Sequence, residues 1–170
     1  HESHYAQWLA KGYHADMAWM ERSAADRHDV QHKLPGTQSV IVLIKNYYTP
    51  RPDVPPESGR VSRYAWGRDY HKVLKKPLIR VAKHLESLAP DVKTYSSVDT
   101  GPVLERTWAE RAGLGAIGKN SLVLRRDMGS WFFISTILTT LKLTPDSPVS
   151  DMCGTCTACI DNCPTQAIVE

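Results

Sequence analysis

The chain of 170 residues is 42% hydrophobic and 23% charged, with a formal net charge of +3, the balance of a folded soluble domain. No apolar run approaches the roughly 20 residues of a membrane-spanning helix, so a membrane partner is not expected. The length holds one core of about 100–150 residues plus a small appendage, and the mild positive charge permits an anionic partner without demanding one.

Residues 3–21 predict helix, with Tyr5, Trp8, Leu9, Met17 and Met20 as apolar positions and Gly12 as a break. Arg22 follows, where solvation is the ordinary state of an arginine. The stretch DRHDVQ at 26–31 nearly spells the D-x-H-x-x-G cobalamin signature. Gln31 stands in the glycine's place, and the signature is rejected. A turn, LPGT at 34–37, leads into VIVLI at 40–44, a short run of the kind expected from a strand buried on both faces. The four prolines of residues 49–59 then make an extended loop.

Residues 60–72, RVSRYAWGRDYHK, interleave cations with aromatics, as single-stranded RNA and phosphate sites often do. The plainer alternative is a solvated helix face. Lys72, Lys75, Lys76 and Arg80 would lie opposite a stripe of Leu74, Leu78, Val81, Leu85 and Leu88. Residues 63–72 precede that stripe and are harder to explain in this way. Pro77 should kink or restart the helix, because it removes a backbone donor.

Residues 92–98 alternate like a strand and end in DTGP at 99–102, with Pro102 suited to the first turn of a helix running to about Ala112. Capping is the ordinary role for an acid such as Asp99 at that junction. Arg106 and Glu110 are spaced as a surface pair. GLGAIGKN at 113–120 spells G-x-G-x-x-G and misses the G-x4-G-K-[ST] phosphate loop only by Asn120. Both motifs need strand, loop, then helix. Here a helix precedes and a strand-like SLVL at 121–124 follows, so the nucleotide readings fail. What remains is a flexible loop whose backbone can approach a ligand closely. A turn at 126–129 joins SLVL to WFFISTIL at 131–138, which predicts a hairpin and hence antiparallel pairing.

The polar linker TPDSPVS at 144–150 delivers the chain to its four cysteines, Cys153, Cys156, Cys159 and Cys163, followed by Pro164. The spacing C-x2-C-x2-C-x3-C-P is that of bacterial ferredoxins: three thiolates hold one [4Fe–4S] cluster and the fourth reaches another. A structural zinc site would need two knuckles set apart, and a disulfide framework would scatter its cysteines. Clustered cysteines of this kind point to a reducing compartment, most simply the cytoplasm. No second cysteine run follows, and the chain opens with His1 rather than Met. It reads as a piece of a longer protein. The expected architecture is α+β: a mixed or antiparallel sheet flanked by helices over residues 1–143, then the start of a ferredoxin-like module over 144–170.

Five segments carry a resemblance: 62–72, 98–106, 112–121, GSWFF at 129–133, and the cysteine run through Ile168. In this order they resemble the epoxyqueuosine reductases of queuosine-tRNA biosynthesis. The resemblance implies a cobalamin-binding domain related to flavin-dependent nitroreductases, with no histidine below the cobalt. By position, Arg22, Ser62, Asp99, Asn120, Val123 and Ile134 would surround the corrin, with backbone contacts from Gly118 through Ser121. Asp99 would be the catalytic proton donor. Two [4Fe–4S] clusters in the complete protein would relay electrons from an external donor. The implied reaction turns an epoxide on the wobble base of a tRNA into an alkene and water, consuming two electrons and two protons. Two rivals remain at this stage: a cobalamin-dependent reductive dehalogenase, and a non-catalytic ferredoxin-type electron carrier. The basic, aromatic segment at 63–72 suits RNA better than a small organohalide.

Overall fold

The computed structural model describes residues 2–169. The N-terminal region is three short helices, α1 (Glu2–Ala10), α2 (Ala18–Arg22) and α3 (Ala24–His28). The break falls at Gly12, whose positive φ of 67° suits a residue without Cβ.

The core is a three-stranded sheet of β1 (Ser39–Asn46), β2 (Thr94–Ser97) and β5 (Phe132–Thr139), in the order β1-β5-β2. Both pairings are antiparallel; Ile44 lies opposite Ile134, and Ser97 opposite Thr136. The central strand reads FFISTILT, rich in the β-branched and aromatic residues that suit a pleated surface. Thr136, Ile137, Leu138 and Thr139 are fully buried. The run at 40–44 was expected to be buried on both faces, yet β1 is an edge strand and only half-buried. Its apolar content reflects helices covering both faces, not a central position.

Side-chain alternation assigns those faces. Ile41, Leu43 and Ile137 pack with Leu78, Ala82 and Leu85 of α4 (Tyr70–Glu86). Val42, Ile44, Phe132 and Ile134 pack the other way, with Ala109 of α5 (Glu105–Arg111) and Val123. The two-residue period of a strand makes this division automatic once the register is set. Helix α4 stays continuous through Pro77, which sits on its exposed side. Leu88, expected in the stripe, lies beyond the helix and is exposed.

Two local expectations are corrected. The strand-like residues after the glycine loop do not pair with β5. Instead β4 (Val123–Leu124) pairs with β3 (Ala116–Ile117) in a separate hairpin that turns through Gly118–Leu122. Pro102 also lies outside α5, which starts only at Glu105 and has no side-chain cap. Asp99 is therefore six residues upstream of the helix and caps nothing. The cysteine run carries one short helix, α6 (Ala158–Asp161). Among the described residues no helix is long and apolar enough to cross a membrane.

Candidate active site

A cavity of about 830 Å³ opens between the start of β5, the segment joining β2 to α5, and the β3–β4 hairpin. Its floor is Phe132 and Ile134. Ser121, Leu122 and Val123 form one wall, and Asp99 with Val103, Leu104 and Glu105 form the opposite one. Trp19 and Met20 of α2 and the aromatics Tyr64 and Trp131 stand around it. Trp19, Tyr64 and Trp131 are exposed although apolar, which marks a surface built to be covered.

Asp99 sits on an unusual piece of backbone. Its φ is +58°, and the Thr100 amide donates to the Val98 carbonyl two residues back at 2.6 Å, closing a tight turn around it. The Asp99 amide donates to Oε1 of Glu105 at 2.7 Å, and Oδ2 of Asp99 accepts a hydrogen bond from the Tyr70 hydroxyl. Tyr70 is fixed by an almost parallel stack on Phe133, with ring centroids 4.3 Å apart. Burial, then the Asp99 carboxylate beside it, raises the Tyr70 pKa, so its proton stays on oxygen. The next residue, His71, meets Oδ1 of Asp69 through Nδ1 at 2.8 Å. Its Nε2 is buried without a hydrogen-bond partner and lies 3.7 Å from Oδ2 of Asp99. The imidazole thus stands between the exposed Asp69 and the cavity carboxylate.

Glu105 is the half-buried acid of the site. Burial pushes its pKa up to about 7, and the Asp99 charge adds to this, while the Asp99 amide, Ser97 and Arg27 oppose it.

The glycine loop is clasped from below by α5. Arg106 donates to the Ser121 carbonyl at 2.6 Å, and Glu110 accepts from the Ile117 amide at 2.8 Å. The pair expected to serve only the helix surface therefore fastens the loop that lines the cavity. That loop also reaches the cysteine run. The Lys119 amide donates toward Cys153 Sγ at 3.4 Å, and a Cβ added to Gly118 would stand 3.3 Å from the same sulfur. Asp151 caps the run, accepting from the amides of Cys153 at 3.0 Å and Gly154 at 3.2 Å. All four cysteines are free thiols. Cys163 is lowered to about 7, chiefly by a backbone hydrogen bond from Ile168 and then by the Thr165 hydroxyl. Among the described residues no three His, Cys, Asp or Glu side chains are grouped tightly enough to hold a metal ion. The donor chemistry is nonetheless that of a soft-metal cluster: thiols alone, three on one tight loop.

Of the positions expected around a cofactor, Ser62, Asp99, Ser121, Val123 and Ile134 do line the cavity. Gly118 and Asn120 shape the turn beneath it, with the Asn120 side chain accepting from the Leu122 amide. Arg22 ends α2 on the exposed surface. The basic segment divides. The Arg63 guanidinium lies 4.7 Å from the Trp131 ring, 5.0 Å from Tyr48 and 5.4 Å from Trp66, and its Nε donates to the Thr49 carbonyl. It is held by the cavity rim rather than offered to solvent. Arg68 stays exposed.

Sequence reasoning missed Tyr70, His71 and Glu105. A faint signal existed for the first two, since Asp69 is a good N-cap and places both residues at a helix start. None existed for Glu105.

Comparison with known proteins places these residues in context. A family model described as epoxyqueuosine reductase QueG, DUF1730, matches residues 27–100. The epoxyqueuosine reductase of Synechocystis sp. is 51% identical over 164 residues, covering 96% of this chain and 56% of that protein. The Bacillus subtilis epoxyqueuosine reductase superposes with a TM-score of 0.85 at 30% identity, over 98% of this chain and 45% of the other. That structure has its aspartate-bearing catalytic loop swung out of the active site. A further epoxyqueuosine reductase, solved with an epoxyqueuosine-modified tRNA-Tyr stem loop, gives a TM-score of 0.80 at 35% identity, over 85% of this chain and 40% of the other. The chain spans about half the length of the curated relatives it matches.

Proposed function

Since the chain belongs to the epoxyqueuosine reductase family, we propose that the complete protein reduces epoxyqueuosine to queuosine at the wobble position of tRNA. The observation that carries this reading is Asp99, held at the cavity by Tyr70 and Glu105 and facing the glycine loop that abuts Cys153. We assign the cofactor cradle to residues 1–143 and a cluster-binding module to 144–170. A broad open cavity with exposed aromatic edges suits a flat macrocycle.

When bound, cobalamin supplies a reduced cobalt nucleophile, and [4Fe–4S] clusters supply it with electrons one at a time. The chain's own residues do the rest. Ser62, Ser121, Val123 and Ile134, which line the cavity, would seat the ring, and Gly118 and Asn120 would shape the turn beneath it; Arg22 stands apart, at the exposed end of α2. Cys153, Cys156 and Cys159 would hold one cluster, and Cys163 would serve the second. Binding energy for the metal would gather sulfurs that are apart in this structure.

Asp99 acts as general acid, placing a proton on the departing epoxide oxygen. The Tyr70 hydroxyl donates to its Oδ2 and holds the carboxyl in the cavity wall. His71 Nε2 lies 3.7 Å from Oδ2 of Asp99 and is placed to return a proton to that carboxylate between turnovers. The net change is one epoxide, two electrons and two protons into one alkene and one water. An aspartate on a movable catalytic loop in the Bacillus subtilis relative, and a bound stem loop in another, support both assignments by analogy. The partners are then a tRNA and an external electron donor, and the compartment the cytoplasm. The test is reconstitution of the full-length protein with iron, sulfide and cobalamin, followed by turnover of epoxyqueuosine-tRNA. Product formation requiring both cofactors supports the reading; a loaded protein that leaves the tRNA unchanged refutes it.

A further inference from the structure

We propose that Glu105 is a positioning residue that latches the Asp99 turn, its carboxylate accepting the Asp99 backbone N–H and so keeping the Asp99 carboxyl at the cavity. The inference rests on the reading of Asp99 as proton donor, and extends it to how that donor is held.

Three observations converge. The Asp99 turn is intrinsically weak: a side-chain-bearing residue at φ +58° inside an i to i+2 closure is a costly conformation that persists only when its surroundings impose it. The Asp99 side chain is 62% exposed, so apolar packing does not impose it. Tyr70 grips the side chain, and the backbone grip comes from Glu105, whose Oε1 accepts from the Asp99 amide at 2.7 Å and lies 3.5 Å from the Ser97 hydroxyl. One oxygen thus meets the residues on both sides of Val98.

The latch has a rigid base. Glu105 is the first residue of α5, and Ala109, one turn later, has no exposed surface at all. Gly101 closes the segment from the other side. A Cβ there would collide with the Ser97 hydroxyl, so the chain folds back tightly onto the strand end. Burying an acid here is unfavourable in itself, and the Glu105 pKa is accordingly raised. Asp99 and Tyr70 face it from the cavity side and Arg27 from α3. A costly acid retained beside a reacting group is the usual signature of function.

The test is amide hydrogen exchange resolved at Asp99 in the full-length protein, alongside steady-state turnover. Glu105→Ala is expected to speed exchange at the Asp99 amide by about tenfold or more, the equilibrium effect of losing a hydrogen bond to a charged acceptor. Amides of β5 should be unmoved, and kcat should fall with KM for tRNA unchanged. Glu105→Gln keeps an acceptor oxygen at the same reach and should restore most of both. Should Glu105→Ala expose the β5 amides and thus unfold, Glu105→Asp, one methylene too short, takes its place against Glu105→Gln. Wild-type exchange at Asp99 in the shortened variants, or faster exchange with unchanged kcat, overturns the latch. Normal turnover by Asp99→Asn would refute the proton-donor reading instead, while leaving the exchange result intact.

Discussion

Asp99 and the glycine loop face one cavity from opposite sides, yet the backbone at each is held in a different way. On the Asp99 side, side chains do the holding: Glu105 takes the amide and Tyr70 takes the carboxylate. On the glycine side much of the restraint is steric. A Cβ at Gly115 would meet the Leu124 carbonyl, and one at Gly113 would meet the Ser147 carbonyl. The first arrangement is built from titratable side chains and so responds to pH. The second adds close backbone packing to the clasp of Arg106 and Glu110 and yields mainly if backbone moves. On the proposed assignment, the wall that delivers a proton is built from titratable groups, and the wall that keeps its shape leans on close backbone packing.

The sharpest way to break this comparison is Asp99→Asn. It preserves shape and hydrogen bonding but removes the transferable proton, so turnover should fall by about 10²–10⁴-fold. Cobalamin and tRNA binding should persist, as measured by cofactor absorbance and by filter retention. Near-normal turnover would strip the wall of its chemical role.

A pH series sharpens the contrast next. The Glu105 pKa is raised from 4.5 to about 7, so between these values the folded state holds more proton than the unfolded. Stability from this group is full below about 4.5 and is lost as pH rises toward 7, a change of up to about 3 kcal/mol. Urea unfolding from pH 4.5 to 7.5 should show this decline, and Glu105→Gln should flatten it. A wild-type profile that rises across the window would contradict the burial argument.

Gly115→Ala probes the other wall. Forcing a methyl against the Leu124 carbonyl should cost about 1–3 kcal/mol in the same unfolding experiment. The loss should be equal at pH 5 and pH 7.5, because no charge is involved. A pH-dependent loss would mean that the two walls are coupled.

The smallest effect is expected outside both walls. Arg68→Glu should weaken tRNA binding and lower the slope of log affinity against log salt by about one. Arg63→Glu should behave differently, since its cation lies among Tyr48, Trp66 and Trp131. There the cavity rim should loosen, read as quenched or shifted tryptophan fluorescence without tRNA. Equal salt effects from both substitutions would return Arg63 to the solvated surface.

The sequence alone determined the features written in local spacing. The four-cysteine run, the glycine loop, the proline-rich loop and the apolar stripe of α4 are short-range patterns, and they appear largely where spacing put them, except that Leu88 falls beyond α4 and Ala116–Ile117 of the loop form β3. The rejection of a nucleotide loop also stands, because α5 precedes the glycines and β4 follows them. Tertiary structure decided what depends on distant partners. Tyr70 and Asp99 are separated by 29 residues, and Arg106 and Ser121 by 15, and no periodicity announces either meeting. Strand pairing was equally undetermined: β4 follows closely on one strand and closely precedes another, and only packing under α5 selects β3. Glu105 was invisible for the same reason. A glutamate at the start of a helix reads as an ordinary dipole partner, and becomes a half-buried acid beneath a strained turn only when the chain folds back over it.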